Sequence, residues 1–575
     1  MYLAVITLVC ALLFILAFRF YGLYIGRRYQ LNAQAQTPAV RFEDGVDFVP
    51  TRKPILLAQH FASIAAAGPV VGPITAGLFF GWGPSLLWIV LGTIFIGAIH
   101  DFSSLVASVK HDAKSIPELA RQYLGPQAYA LVMTFIWLSL IYIIIAFTDV
   151  TAQAFVAKAS WGGVEHDIGG GVATSSFLYL LLSVLLGVAL TKWRVPLWLA
   201  TLLFFPVLVG IILWGQSMPI TFATGNPALI WGVIILGYCA VASILPMWLL
   251  LQPRGYLGGY FLYIVLGFGL LGVIFGGFKA EYPAFLTWNS AQIGPIYPFL
   301  FITIACGACS GFHGLVCSGT TCKQLRNETH APLIGYGGML LEGVVAVMAL
   351  ATVMMWPAGS PELSKSPSEI YANGISHFVH AVLGLPREQV LAFGMLAFTT
   401  FVYDTLDVAT RLGRYLMEEL LGLKGRRGKW LATGITVGLP LVYLFLGSNL
   451  QGALKSAKPI WLVVWPLFGS SNQLMAGLTF LLLAAWFRAR HRWAPWLVLP
   501  GFFMFGTTAV ALVIQCTGSL RRSLGGAGTG LDVLNLILCL ALLVTAGSFL
   551  VLWIRQMSRP PMTVLVTSAG ETAGK

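Results

Sequence analysis

Long apolar runs alternate with short polar links along almost the whole chain, and in two places the apolar run is itself interrupted. A helix needs about 20 apolar residues to span a bilayer. Fifteen such runs can be read, at about 2–24, 55–80, 84–108, 127–157, 174–190, 195–215, 228–251, 256–277, 296–320, 332–356, 389–410, 430–446, 459–486, 493–515 and 533–554. The pattern predicts an all-α polytopic membrane protein. The interrupted runs are His60 to Pro73 (HFASIAAAGPVVGP) and Cys306 to Thr320 (CGACSGFHGLVCSGT). Non-helical backbone at membrane depth is tolerated only around a polar cavity or inside protein, so two discontinuous helices in corresponding positions point to inverted repeats with a substrate between the breaks. Ala67, Gly68 and Gly72 would line it from the first break, and Ser310, Gly311 and Gly314 from the second.

The order of elements repeats. The first broken run is followed by one span, an amphipathic stretch (KSIPELARQYLG, 114–125) and three spans. The second is followed by one span, PSEIYANGISHFVHAVLG (367–384) and three spans. The expected organisation is an N-terminal span and loop (1–54), a first five-helix repeat (55–215), a two-helix insert (216–295), an inverted second repeat (296–486) and C-terminal spans with a tail (487–575). The first span lacks a basic leading region and a cleavage site, and reads as a retained helix.

Only 10% of the 575 residues are charged against 58% hydrophobic, too few for a soluble surface of this size. The net charge of +13 reads as topogenic, not as a nucleic-acid footprint. Threading fifteen spans from an outside N-terminus to a cytoplasmic C-terminus puts 25 of the 34 Lys and Arg on the cytoplasmic side. These include Arg254 in a loop at 252–255 and Arg411 and Arg414 in a loop at 411–430. Eight fall outside, among them Lys455 and Lys458. The stretch GLKGRRGKW at Gly422 has neither the spacing nor the Ser/Thr of a nucleotide-binding loop, which argues against a nucleotide-driven pump.

Several blocks carry a family resemblance. RKPILLAQHFASIAAAGPVVGPITAG (52–77), GWGPSLLWIVLG, GAIHDF (97–102), KSIPELARQYLG, FITIACGACSGFHGLVCSGTTCKQL (301–325), YDTLDVATRLGRYLMEELLG (403–422) and WPLFGSSNQLMAGL (465–478) together resemble the carbon-starvation (CstA) transporter family. The resemblance implies a LeuT-like fold of the APC superfamily in a bacterial inner membrane, with proton-linked uptake of small peptides or pyruvate. Two departures stand out. Gln59 occupies a place where a second His beside His60 is expected, and Cys309, Cys317 and Cys322 stand where small or hydroxylated residues are usual.

An ionisable side chain in a span costs about 2.5 to 3.5 kcal/mol on insertion scales, and each is therefore a functional candidate. Glu342, mid-span with no basic residue within a helical turn, is the leading candidate for protonation. His100 and Asp101, neighbours on one helix, diverge by about 100° and are not expected to pair with each other. His60 and His313 flank the breaks and are candidates for substrate or proton contact. Thr399 and Thr400 would offer neutral oxygens to Na⁺, or Asp404 a carboxylate to a proton; bonding of the hydroxyls back to their own helix is the structural alternative.

Four of eight cysteines run along the second broken helix as Cys306, Cys309, Cys317 and Cys322. That placement suits packing better than a metal site, and neither metal nor cofactor is expected. The reading is a symporter whose partners are a small solute or short peptide, a coupling proton or Na⁺, and the lipid bilayer, with no nucleic acid. The rival class is a membrane enzyme or redox protein using the intramembrane His, Asp and Cys groups.

Overall fold

Lipid offers no hydrogen-bond partner to a peptide group, so every long apolar run must satisfy its backbone as a helix. In the computed structural model the described residues are 1–45, 48–161, 164–223, 225–246, 248–453, 459–525 and 530–559. Lys455, Lys458 and the tail from 560 onward lie outside them. Among the described residues, 14 helices are long and apolar enough to cross a membrane, and a bent pair makes up to 15.

The helices are α1 (Leu3–Arg28), the bent pair α2 (Lys53–Ile64) and α3 (Gly68–Phe80), α4 (Trp82–Lys110), α5 (Ile116–Leu124), α6 (Pro126–Phe155), α7 (Ile168–Thr191) and α8 (Leu197–Gly215). Next come α9 (Pro227–Ile244), α10 (Leu251–Phe275), α11 (Ile296–Ala308), α12 (Gly311–Val316) and α13 (Glu328–Met354). The chain continues through α14 (Pro367–Leu383), α15 (Arg387–Leu420), α16 (Gly425–Ala453), α17 (Ile460–Ala489), α18 (Pro495–Leu524) and α19 (Gly530–Ser558). Short hairpins, Ala159–Trp161 with Val164–His166 and Asn289–Ser290 with Gly294–Pro295, sit in connecting loops.

The two discontinuous helices run antiparallel. Thr51, just before α2, donates its N–H to Gln324 beyond the end of the second broken helix at 2.9 Å, whereas Leu286, ahead of α11, donates to Phe80 at the end of α3 at 3.1 Å. Their successors α4 and α13 are antiparallel too. Lys110 at the end of α4 pairs with Glu328 at the start of α13 at 2.6 Å, and the Tyr336 hydroxyl donates to the Ile94 carbonyl at 3.0 Å. The amphipathic helices α5 and α14 follow the far ends of α4 and α13, and so lie at opposite ends of the molecule. Both start with the same device, a Ser-x-x-Glu capping box, Ser115 with Glu118 and Ser366 with Glu369. Opposed direction with equal order is the inverted-repeat architecture of LeuT-like proteins, with α1, the α9–α10 pair, α18 and α19 as additional spans.

The expected loop at 411–430 begins as helix. The apolar face of α15 continues past 411 to Leu420, so Arg411 and Arg414 are buried side chains and not loop charges. Arg411 donates to the carbonyls of Ala242 and Leu245 at 2.8 and 2.7 Å, and Arg414 pairs with Glu418 at 2.6 Å.

Close approach of α3 to α11 depends on glycine. A Cβ on Gly72 would stand 2.5 Å from the Thr303 carbonyl oxygen, and one on Gly68 would stand 2.2 Å from the Cys306 Cβ. Gly72→Val is expected to destabilise the fold by about 1–3 kcal/mol through overpacking. Gly210→Val, where a Cβ meets nothing within 4 Å, should leave the unfolding midpoint in detergent unchanged. Equal midpoints for the two variants would refute this account of the crossing.

His111, just past the end of α4, fastens α5. Its ring nitrogens meet the Ala107 carbonyl and the Tyr123 hydroxyl, each at 2.6 Å. Burial pushes its pKa from 6.5 down to about 4, against a smaller upward pull from the Ala107 bond. The unfolded chain therefore binds a proton through that window while the folded chain does not. The contribution is fully present above about pH 6.5 and is lost as pH falls toward 4. The thermal midpoint should drop between pH 7 and pH 5, and His111→Gln should flatten that drop.

Candidate functional site

The first break follows from proline. Pro69 has no N–H, and its ring excludes the helical position of the carbonyl four residues back, that of Ala65. Ala65 is the residue that leaves the helix, with φ −75° and ψ 67°, and the axis bends by 47° before α3 restarts. The second break has no proline at the gap. Cys309 and Ser310 are extended, at φ/ψ of −163°/123° and −121°/125°. Asn472 of α17, fully buried, serves the freed groups: its Oδ1 accepts the Phe312 N–H at 2.9 Å, and its Nδ2 donates to Ser310 Oγ and Cys306 Sγ, each at 3.1 Å.

The residues expected to line a substrate path at the breaks are packed. Ala67 is fully buried, Gly68 and Gly72 lie against α11, Gly311 against the backbone of Asn472 and Ala476, and Gly314 against the His100 ring. Ser310 is held by Asn472. The breaks are closed upon each other and upon α17.

Four ionisable groups form one buried chain across three helices. His100 Nδ1 lies 2.9 Å from Asp101 Oδ1, and His313 Nδ1 lies 2.9 Å from Asp101 Oδ2. On its far side, His313 Nε2 stands 3.3 Å from Glu342 Oε2. All four are at most 1% exposed. This corrects the expectation that His100 and Asp101 cannot pair: a 100° separation of Cβ directions is bridged when the Asp carboxylate turns back to the imidazole and offers its second oxygen to α12. His313 also rests against the Ile64 carbonyl at the end of α2, which ties the chain to the first break. His60 Nδ1 meets Thr321 Oγ1 at 2.9 Å, joining the two discontinuous helices, and its Nε2 has no hydrogen-bond partner among the described residues.

A second buried cluster was not foreseen. Arg254, read as a loop charge, lies in the first turn of α10 and is fully buried. Its Nε stands 2.9 Å from Asp404 Oδ1, and its Nη1 contacts Asp407, which also accepts the Tyr238 hydroxyl at 2.8 Å. The Tyr179 hydroxyl donates to the Arg254 carbonyl at 2.7 Å, and the guanidinium lies 5.3 Å from the Tyr403 ring centroid. Asp404 is thereby held by Arg254. It also borders a small cavity of about 20 Å³ with Gln59, Ser63, Thr320 and Gln324. The signal was present, since Arg254 is the sole charged residue between Arg194 and Lys279, and two Asp three residues apart share one face of α15.

Thr399 bonds back to the Leu396 carbonyl at 3.0 Å and approaches Ser176 at 3.5 Å, and Thr400 is buried with its methyl toward Gly258. Asp149 accepts the Trp461 N–H at 2.8 Å and so caps α17. Asn472 escaped the sequence reading because GSSNQ looks like any small polar patch; only the fold sets it opposite the second break.

Antiparallel discontinuous helices with buried ionisable chains beside both breaks define a membrane transporter of the LeuT-like, inverted-repeat class. The carbon starvation protein CstA family matches residues 2–363 and 358–511, and the chain belongs to that family. It is 31% identical over 558 residues to "Peptide transporter CstA" of Escherichia coli (strain K12), covering 86% of this chain and 78% of that protein. It is 30% identical over 594 residues to "Pyruvate/proton symporter BtsT" of the same organism, covering 87% and 80%. To the Bacillus subtilis (strain 168) "Peptide transporter CstA" it is 32% identical over 536 residues, covering 82% and 83%. Among solved structures it is similar to MhsT in complex with L-phenylalanine, with a TM-score of 0.47, 13% identity and coverage of 88% and 98%.

Removing Arg254 alone should strand two buried carboxylates. Arg254→Met is expected to cost about 3–5 kcal/mol in stability. Adding Asp404→Asn and Asp407→Asn should restore most of it. Unfolding midpoints in detergent decide; a triple variant no more stable than the single one would show that the triad is not the balance described.

Proposed function

We propose that this protein is a proton-coupled symporter that takes up a small carboxylate-bearing nutrient, a short peptide or pyruvate, across a bacterial inner membrane. The observation that carries the proton assignment is the continuous chain His100–Asp101–His313–Glu342. Its members lie on α4, α12 and α13, and its central ring touches the first break. A proton on Glu342 or His313 changes the charge balance where the two discontinuous helices meet, and it biases transport only through unequal affinity for the inward-open and outward-open states. The names of the relatives, a peptide transporter and a pyruvate/proton symporter, support both the solute classes and the coupling ion.

In this reading α2, α3, α4, α11, α12 and α13 rock as a bundle against a scaffold of α6, α7, α15 and α16, the two repeats spanning 55–215 and 296–486. The N-terminus is outside and the C-terminus cytoplasmic, with the arginine-rich loops inside. Asp404 is engaged by Arg254 and Thr399 bonds to its own helix, so the His/Glu chain takes the coupling role ahead of a Na⁺ site at Thr399 and Thr400.

Proteoliposomes holding the purified protein and an internal pH dye should acidify when pyruvate or dialanine is added without Na⁺. Glu342→Gln should abolish that proton influx while retaining exchange of labelled solute across the membrane. Undiminished influx in Glu342→Gln would remove Glu342 from the coupling path.

A further inference from the structure

Arginines gather without a carboxylate where the end of α1 meets the turn joining α17 to α18. The chain holds no Asp or Glu from 1 to 42 or from 420 to 531, so both segments bring only cations. Arg27 and Arg28 close α1, and Arg492 lies exposed in the turn. Arg492 Nη1 donates to the Arg28 carbonyl at 3.3 Å, and Arg28 Nη2 donates to the Tyr24 hydroxyl at 2.5 Å. The Arg28 guanidinium lies 5.9 Å from the Trp496 ring centroid. Buried Tyr29 packs edge-on against Phe487 at 5.0 Å and fixes this meeting of the two ends.

Among the described residues, neither Arg28 nor Arg492 meets a carboxylate. On the neighbouring elements, Asp112 pairs with Arg41 and Glu328 with Lys110. Glu118 keeps its charge, but its segment also carries Lys114 and Arg121. Orientation in a membrane needs only a count of cations on one side. It does not require arginines 464 residues apart to be brought together.

An apolar strip leads away from these arginines along α4, where Leu91 and Phe95 are 43% and 48% exposed. Tyr21 of α1 borders it, meeting Phe95 at 5.4 Å, and Phe503 of α18 borders the other side, meeting Trp88 at 5.7 Å. Tyr21 precedes Arg28 by seven residues and Phe503 follows Trp496 by seven, about 10 Å of helix in each case. The two borders therefore rise from the arginines in step. Tyr24 and Trp493, both exposed, stand beside the arginines with Trp496, and such aromatic side chains favour the level of lipid headgroups.

We propose that this corner binds an anionic phospholipid, its phosphate taken by Arg28 and Arg492 and an acyl chain laid along Leu91 and Phe95. Guanidinium groups match a phosphodiester with paired donors, and clustered arginines at a membrane surface attract anionic lipid. A soluble phosphate would satisfy the arginines but leave the strip bare, which favours the lipid. The bound lipid ties α1 to α18 across α4, the helix that carries His100 and Asp101. The inference uses only the membrane location of the chain and stands whatever solute is transported.

Native mass spectrometry of the protein in detergent, with equimolar phosphatidylglycerol and phosphatidylcholine of matched acyl chains, tests this. Retained phosphatidylglycerol should exceed phosphatidylcholine roughly tenfold. Arg28→Gln combined with Arg492→Gln should bring the two lipids to parity, and Arg492→Gln alone, at an exposed turn position, should lower the ratio severalfold. Arg426→Gln with Arg427→Gln removes the same charge from exposed positions of α16 and should keep the preference. No preference in the parent, or an equal loss in the α16 variant, would overturn the site. Excess inorganic phosphate should leave the bound phosphatidylglycerol in place; its full displacement would assign the arginines to a free anion and refute the lipid.

Discussion

A peptide N–H or C=O stranded in hydrocarbon costs several kcal/mol, and this penalty decides where the chain can leave the helix. It leaves twice in the discontinuous helices, with different compensation. At the first break Pro69 forces the departure at Ala65, and the neighbouring Ala66 and Val71 amides find the Ile64 and Ala67 carbonyls at 2.8 Å each. At the second break, Ser310 and Gly311 permit the departure, and Asn472 supplies the missing partner from α17. That helix is accordingly the most enclosed of the spans, with 100% of its apolar window buried. The Gly68 and Gly72 contacts with α11 then close the two broken helices on each other, so the interruptions are shielded by protein and not by lipid.

The same low-dielectric interior explains how the ionisable side chains are grouped. Buried charge is tolerated when paired, and both clusters are assembled from segments distant in sequence. Arg254 comes from the pair of spans lying between the two repeats and meets Asp404 and Asp407 of α15. That contact binds α10 electrically to α15. The His100–Asp101–His313–Glu342 chain has no fixed cation; its charge depends on protons. An Arg–Asp triad on α10 and α15 and a His–Asp–Glu chain on α4, α12 and α13 give the two parts of the molecule different electrostatic characters.

Charge at the two ends of the molecule follows a further division. The loops at the ends of α4 and α15 gather Lys and Arg. At the opposite end, Lys158, Lys365 and Arg387 share a concavity with Glu369 and Glu388.

The hydrophobic pattern alone determined the span count, the two discontinuous helices and the order of the repeated units, because these properties are local. Run length reports membrane crossing, proline and glycine report departure from the helix, and capped amphipathic segments mark the membrane surface. It also singled out Glu342, His60, His100, Asp101 and His313, since an ionisable residue in an apolar run is conspicuous by itself. Which of these residues meet was decided only by the tertiary structure. The Asp101 bridge between two histidines depends on a side-chain rotation that helical-wheel geometry does not contain. Burial of Arg254, Arg411 and Arg414 depends on helices that extend beyond their apolar runs because polar partners await them on neighbouring elements. The role of Asn472 depends on a contact spanning 160 residues. Local free energies fix where helices form, whereas pairing of buried polar groups is a property of the whole packing.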